Sequence, residues 1–125
     1  MPWVYHQSSG EMFRDGVLKG VGYSGSGEGK NNPAMQSVHN VGPAPQGDYL
    51  IGAPHDSPEH GPYALHLEPL DPSQTHGRTA FLCHGDLKHD PGNASRGCII
   101  MPPAVRHEMW EGNDHKLTVV SGEFA

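Results

Sequence analysis

Basic residues are scarce in this sequence, with eight Lys and Arg against 14 Asp and Glu. The formal net charge at pH 7 is −6, and the eight cationic residues are scattered along the chain rather than gathered into a stripe. Nucleic acids are bound chiefly through clustered Lys and Arg that neutralise phosphates. We therefore expect no nucleic-acid partner.

Long apolar runs are also missing. No stretch approaches the roughly 20 apolar residues that a membrane-spanning helix needs, so we expect no membrane insertion. The opening MPWVYHQSSG lacks the basic and apolar regions of a classical signal peptide. The sequence thus predicts a protein made in the cytoplasm without such a signal.

Cysteine occurs only twice, at Cys83 and Cys98. Cys83 directly precedes His84 in the apolar run 79–84, and adjacent side chains of a strand point to opposite faces. If His84 faces a site, Cys83 faces the core as a small buried hydrophobe. We therefore expect the two cysteines not to pair.

What the chain has in abundance is glycine and proline, with 17 Gly and 12 Pro against a hydrophobic content of 34%. Such frequent punctuation favours short strands and tight turns over long helices. The length of 125 residues fits one domain, which we expect to span residues 1–125. The composition predicts a small, mainly β domain.

Local patterns place the elements. One helix is expected at 104–111, after Pro102-Pro103, with Val105, Met109 and Trp110 on its buried side. Residues 25–33 read as an ordered surface loop, and residues 41–47 as a rigid turn. The predicted strands cover 3–7, 11–13, 17–24, 48–51, 63–70, 79–84 and 116–120.

The chemistry is concentrated between His84 and Cys98. A histidine ends a predicted strand, a polar loop follows, and the cysteine comes directly after Gly97. A thiol is a weak nucleophile until a neighbour takes its proton, and His84 is the best-placed base. The amides of Gly97 and Cys98 could then stabilise an oxyanion, since glycine permits close backbone approach.

Two other interpretations of these residues stay open at this point. A buried structural cysteine is the commoner role of a lone Cys. Zinc is the competing chemistry, because thiolate and imidazole are good ligands and His76, His84, His89 and Cys98 lie in one region. No C-x-x-C or H-x-x-x-H pair is present, however, and we expect neither a metal nor another cofactor.

The order of these motifs resembles a known family. His84-Gly85, a loop and then Ser95-Arg96-Gly97-Cys98 is similar to the signature of the YkuD-like L,D-transpeptidase domain, and residues 42–51 resemble its Pro-x-Gly-x-Phe/Tyr-x-Ile strand entry. The likeness is greater to a short branch, the L,D-transpeptidase effectors of type VI secretion systems. The segments that carry this second likeness are 23–25, 30–33, the turn at 42–47, 81–85 and 94–99.

The resemblance implies a small YkuD-like β-sandwich with one short helix after the catalytic cysteine. It also implies that Cys98 attacks the carbonyl of the L-centre residue, usually meso-diaminopimelate, in a peptidoglycan tetrapeptide stem. His84 would be the base, and the backbone carbonyl of Gly85 would orient its ring. The terminal D-Ala leaves, and water or an amine resolves the thioester, so carboxypeptidase action, D-amino-acid exchange and cross-linking all stay open.

The same resemblance implies an antibacterial effector that acts in the periplasm of a target cell. A cognate immunity protein and a secretion-system carrier would then be its partners. Two alternatives remain: a peptidoglycan-binding module without turnover, and a cysteine amidase or endopeptidase of phage or effector origin. An intact His84/Cys98 pair argues against the pure binder, which has no use for a thiol beside an imidazole.

One departure from the family concerns position 96, where Arg96 replaces the usual histidine. Its guanidinium could pair with a substrate carboxylate or help hold the thiolate, or it could be an ordinary surface residue. Ser95 could bond within the loop or touch substrate. Tyr23, Ser24 and Asn32 are candidate walls of a substrate cleft, although turn formation explains Asn32 equally well.

Overall fold

The computed structural model describes residues 2–122. Nine strands and one α-helix form the domain, so the predicted mainly β fold with one short helix after Cys98 is confirmed. The elements are β1 (Trp3–His6), β2 (Glu11–Arg14), β3 (Val17–Val21), β4 (Tyr23–Ser24), β5 (Gly47–Ser57), β6 (Gly61–Pro69), β7 (Leu82–His84), β8 (Ile99–Ile100), α1 (Pro103–Glu111) and β9 (Lys116–Val120).

The nine strands form one sheet in the order β3-β2-β1-β9-β5-β6-β7-β8-β4. Two of its neighbouring pairs are parallel, β1 with β9 and β7 with β8, and the others are antiparallel. The parallel pair β7–β8 brings together the strand that ends in His84 and the strand that follows Cys98. The sheet order thereby sets the geometry of the predicted site.

Gly22 joins the two edges of this sheet. The sequence predicted one strand over 17–24, but the chain pairs with β2 up to Val21 and with β8 from Tyr23 onward. A Cβ at Gly22 would lie 1.6 Å from the carbonyl oxygen of Ile100, so only glycine allows the crossing. A strand that changes partners at a bend lets the sheet wrap around one core, as in a β-sandwich.

The core lies inside this wrapped sheet and under α1. In β1, the fully buried Trp3 and Tyr5 alternate with partly exposed neighbours, which is the period of a half-buried strand. Helix α1 buries Val105 and Met109 as predicted, while Trp110 is only partly buried. The helix also buries Arg106, which the sequence analysis did not anticipate.

Three predicted elements need correction. The strand predicted at 79–84 begins only at Leu82, because Ala80 adopts a left-handed conformation with φ 65° that breaks extended structure. The strand predicted at 48–51 runs on to Ser57, in an irregular hairpin with β6. The loop at 25–33 includes the 3-10 turn Gly27–Gly29 and enters another at Pro33–Met35. No helix within residues 2–122 is long and apolar enough to cross a membrane.

Candidate active site

Strand register fixes the face of the sheet on which His84 lies and brings it next to the strand that follows Cys98. Cys83 pairs with Ile99 and His84 with Ile100, and the fully buried Cys83 and Ile99 face the core. Side chains alternate along a strand, so His84 and Ile100 point to the opposite face, and Cys98 lies one residue before β8. Cys83 thus faces the core as expected, and both cysteines are free.

The His84 ring is held by its own strand end. Its Nδ1 donates to the carbonyl oxygen of Gly85 at 2.9 Å, the contact expected to orient the ring. Since a carbonyl only accepts, the proton sits on Nδ1, and Nε2 carries the lone pair. Nε2 is buried and has no hydrogen-bond partner among residues 2–122.

Burial lowers the pKa of His84, and the charges of His60 and Arg106 lower it further. The Gly85 hydrogen bond and Asp86 act in the opposite direction. The His60 ring also packs against the His84 ring, with 4.6 Å between centroids. The imidazole is therefore neutral at pH 7, as a general base must be.

Cys98 is partly exposed, and its Sγ lies 3.8 Å from the carbonyl oxygen of Ala80. Burial raises the pKa of the thiol, while the backbone N–H of Leu82 and the guanidinium of Arg78 lower it. His84 and Cys98 form no hydrogen bond to each other in the described structure. The sulfur therefore lies beside the Ala80 carbonyl and not in contact with His84.

Two serines fix the turn before Cys98 from inside. The Ser95 hydroxyl donates to the Cys98 carbonyl at 2.5 Å and accepts from the amides of Gly25 and Gly97 at 2.8 and 3.1 Å. The Ser24 hydroxyl donates to the Gly97 carbonyl at 3.2 Å. Both serines are buried, so their observed contacts lie within the loops. The Gly97 amide is not a free donor here, and the oxyanion role stays a prediction for the Cys98 amide.

Arg78 is a residue that the sequence analysis missed. Its guanidinium is buried and donates to four backbone carbonyls near Cys98. The acceptors and distances are Gln36 at 2.6 Å, Pro43 at 2.8 Å, Gly42 at 2.9 Å and Arg96 at 3.2 Å. A Cβ at Gly97, whose φ is 134°, would lie 2.4 Å from Nη2 of Arg78. Gly97 is therefore required both by its backbone angle and by the guanidinium beside it.

The remaining predicted substrate residues are placed differently from one another. Arg96 has an exposed side chain without a hydrogen bond or ion pair among the described residues. Asn32 accepts from the Ala34 amide at 3.2 Å and so caps a 3-10 turn. The Tyr23 hydroxyl donates to Asp86 at 2.5 Å and accepts from the Ala94 amide at 2.9 Å. Tyr23 thereby ties the loop between His84 and Cys98 to β4.

A cavity of about 680 Å³ opens beside His84. Tyr23, His84 and Gly85 line it, and Cys98 is outside its lining. The other lining residues are Val21, Gly22, Glu59, His60, Gly61, Pro62, Asp86, Leu87, Lys88, Ala94, Ile100, Met101, Pro102, Pro103 and Arg106. Helix spacing could have suggested the placement of Arg106, since it stands three positions before the buried Met109. No local pattern marks Arg78 or His60.

Metal binding gains no geometric support. Within residues 2–122, no three or more His, Cys, Asp or Glu side chains are grouped so that they could hold an ion. His76, His84, His89 and Cys98 therefore do not form the cluster that the zinc alternative requires. What the site can offer is a thiol, a neutral imidazole and backbone donors.

Comparison with known proteins identifies the family. Residues 19–122 match the sequence model of the Tlde1 domain. No curated protein matches the chain. Among solved structures, Bd1075 from Bdellovibrio bacteriovorus is similar in fold, with a TM-score of 0.57 and 10% sequence identity. The match covers 96% of this chain but 47% of Bd1075, so the chain spans about half the length of that protein.

Proposed function

The chain belongs to the Tlde1 domain family of type VI secretion effectors, and on that premise we propose that it is a cysteine enzyme that modifies peptidoglycan tetrapeptide stems. The observation that carries the proposal is the β7–β8 pairing, which brings a neutral His84 with an unpartnered Nε2 next to the strand that follows the partly exposed Cys98. A buried acceptor without a hydrogen bond needs an explanation. A role of Nε2 as the base that accepts the proton of the Cys98 thiol would explain it. The pair supports membership of the YkuD-like superfamily.

The reaction begins with the sulfur. Cys98 turns from the Ala80 carbonyl toward His84, and Nε2 takes its proton. Such contacts are often long in a free enzyme and tighten with substrate. The thiolate then attacks the carbonyl of the L-centre residue, usually meso-diaminopimelate, and the Cys98 amide stabilises the oxyanion. The Gly85 carbonyl, which accepts from Nδ1, stabilises the imidazolium that forms.

The second half of the reaction uses the same groups. The imidazolium of His84 donates its proton to the amine of the departing D-Ala, which leaves a thioester on Cys98. Water or the amine of an acceptor then attacks the thioester, with His84 again as base. Water gives an L,D-carboxypeptidase, a free D-amino acid gives exchange, and a second stem gives a cross-link.

The biological setting follows from the family. We propose that residues 1–125 act as one catalytic domain, secreted into a target cell and working on its periplasmic peptidoglycan. A cognate immunity protein would protect the producing cell. We expect it to bind over the cavity beside His84, because that would block the stem.

Mass spectrometry of purified tetrapeptide muropeptides, with and without a free D-amino acid, tests this function. Wild type should remove or replace one D-Ala, and Cys98→Ala should do neither. Cys83→Ala is the matched control, because that cysteine faces the core and should be dispensable for the reaction. Unchanged masses with wild type, together with retained binding in Cys98→Ala, would favour the non-catalytic module. Products cut at another stem bond would favour an amidase or endopeptidase.

A further inference from the structure

Arg106 is buried and has no anionic partner within the part of the chain that the structure describes. Only 4% of the residue is exposed, yet its three observed hydrogen bonds all go to backbone carbonyls. Nε donates to Met101 at 3.1 Å, and Nη1 donates to Pro62 at 2.8 Å and Tyr63 at 3.0 Å. Neutral carbonyls satisfy N–H groups but leave the charge uncompensated, and a buried charge without a counterion is costly.

Two of the five N–H groups of this guanidinium remain, both on Nη2. Nη2 makes no hydrogen bond among residues 2–122, and Arg106 lines the cavity beside His84. A Cβ at Gly85 would lie 2.9 Å from Nη2, so the missing side chain at that position keeps the nitrogen open. An unused pair of donors on a buried cation at a cavity wall is suited to a carboxylate.

The cavity's own acids do not occupy Arg106. Asp86 accepts instead from Tyr23 and from the amides of Leu87 and Gly92. Although burial alone would raise the pKa of Asp86, these bonds lower it, so the carboxylate is already satisfied. Glu59 is exposed and forms no ion pair with Arg106 within the described chain. No carboxylate within residues 2–122 therefore pairs with Arg106, and its open Nη2 can donate to one from a bound ligand.

We propose that Arg106 binds the α-carboxylate of the amino acid that leaves or enters at the Cys98 thioester. This inference rests on the proposed function. His84 must exchange a proton with the amine of that amino acid, so the amino acid lies on the His84 side of the scissile bond. Its free carboxylate is one carbon away from that amine. Arg106, beside Gly85, is the buried cation on that side, whereas Lys88, which also lines the cavity, is exposed. The proposal therefore makes Arg106 the residue that selects a stem ending in a free carboxylate.

A change in the substrate tests this without disturbing the fold. Two synthetic tetrapeptides are compared, one ending in D-Ala and one in its carboxamide. Wild type should process the acid with a kcat/KM about 10- to 100-fold higher, the range expected for a lost charged hydrogen bond. In Arg106→Gln the ratio of kcat/KM for the acid to kcat/KM for the carboxamide should fall toward one. In Arg106→Lys, which keeps the positive charge but lacks the paired N–H donors of the guanidinium, the ratio should be intermediate. Circular dichroism establishes that each variant is folded.

Equal rates for acid and carboxamide with wild type would overturn the assignment, and so would an undiminished ratio in folded Arg106→Gln. If wild type processes neither peptide, the proposed function fails. The carboxylate site at Arg106 is then tested by peptide binding alone. Calorimetry on Cys98→Ala should then show tighter binding of the acid than of the carboxamide. Adding Arg106→Gln should remove that preference, and its persistence would refute the carboxylate site.

Discussion

Replacing Arg78 by Met should destabilise the protein and make Cys98 less reactive at neutral pH. The substitution removes four hydrogen bonds from a buried cation to backbone carbonyls, each worth about 1.5–3 kcal/mol. It also removes the cost of burying the guanidinium, which offsets part of that loss. We expect a net loss of about 3–5 kcal/mol in the free energy of unfolding, because a buried carbonyl left without its donor costs about 1–3 kcal/mol.

Two assays follow from the same contacts. Urea unfolding gives the stability, and the pH dependence of alkylation by iodoacetamide reports the Cys98 thiolate. Arg78 lowers the pKa of Cys98, so its loss should move the alkylation profile to higher pH. Cys83 should stay silent, because burial raises its pKa to about 12.

Two control variants distinguish the effect of Arg78 from the effect of removing any arginine. Arg96→Met, at an exposed side chain without contacts, should change stability by no more than about 0.5 kcal/mol. If Arg78→Met unfolds the chain, Arg78→Lys retains the charge and should shift both readouts less. A folded Arg78→Met with wild-type stability and an unchanged alkylation profile would refute the role given to this residue.

Two further predictions concern the loops around the site. Gly97→Ala should lower the free energy of unfolding by about 2–5 kcal/mol, because its φ becomes strained and the added Cβ clashes with Arg78. Gly16→Ala is the control: its φ is also positive but the space around it is open, so it should cost about 1 kcal/mol. Urea unfolding measures both, and equal costs would contradict the clash. Tyr23→Phe should cost about 1 kcal/mol at pH 7 through the lost bond to Asp86. Because the folded pKa of Asp86 is lowered, this contribution is present above the unfolded pKa of about 3.9 and is lost as the pH falls through the folded pKa. Urea unfolding should therefore show the stability difference between wild type and Tyr23→Phe shrinking in acid. A difference that does not change with pH would refute this role of the bond.

Much of the fold could be predicted because it depends on local patterns. The strand predicted at 3–7 matches β1 to within one residue, and Pro102-Pro103 placed the start of α1 to within one residue. The elements that were predicted wrongly depend on contacts between residues far apart in the sequence. The bend at Gly22 exists because one strand must serve both edges of the sheet, and no window of sequence around it reveals its two partners.

The candidate site divides in the same way. Strand parity was enough to place Cys83 on the core side, opposite to His84, because side chains alternate along a strand. The Arg78 environment could not be foreseen, since its acceptors lie 18 to 42 residues away along the chain. By local motif, Arg96 was the more prominent arginine, yet it is the exposed one.

The two buried arginines act on the two halves of the proposed pair in complementary ways. Burial raises the pKa of Cys98 and Arg78 offsets part of that rise, whereas burial lowers the pKa of His84 and Arg106 adds to that fall. A base that is held neutral also resists becoming the imidazolium that the reaction requires. A carboxylate bound at Arg106 would neutralise that charge and raise the pKa of His84. Arrival of the stem would thereby make His84 a better acceptor for the proton of Cys98, so substrate binding and activation of the nucleophile would be one event.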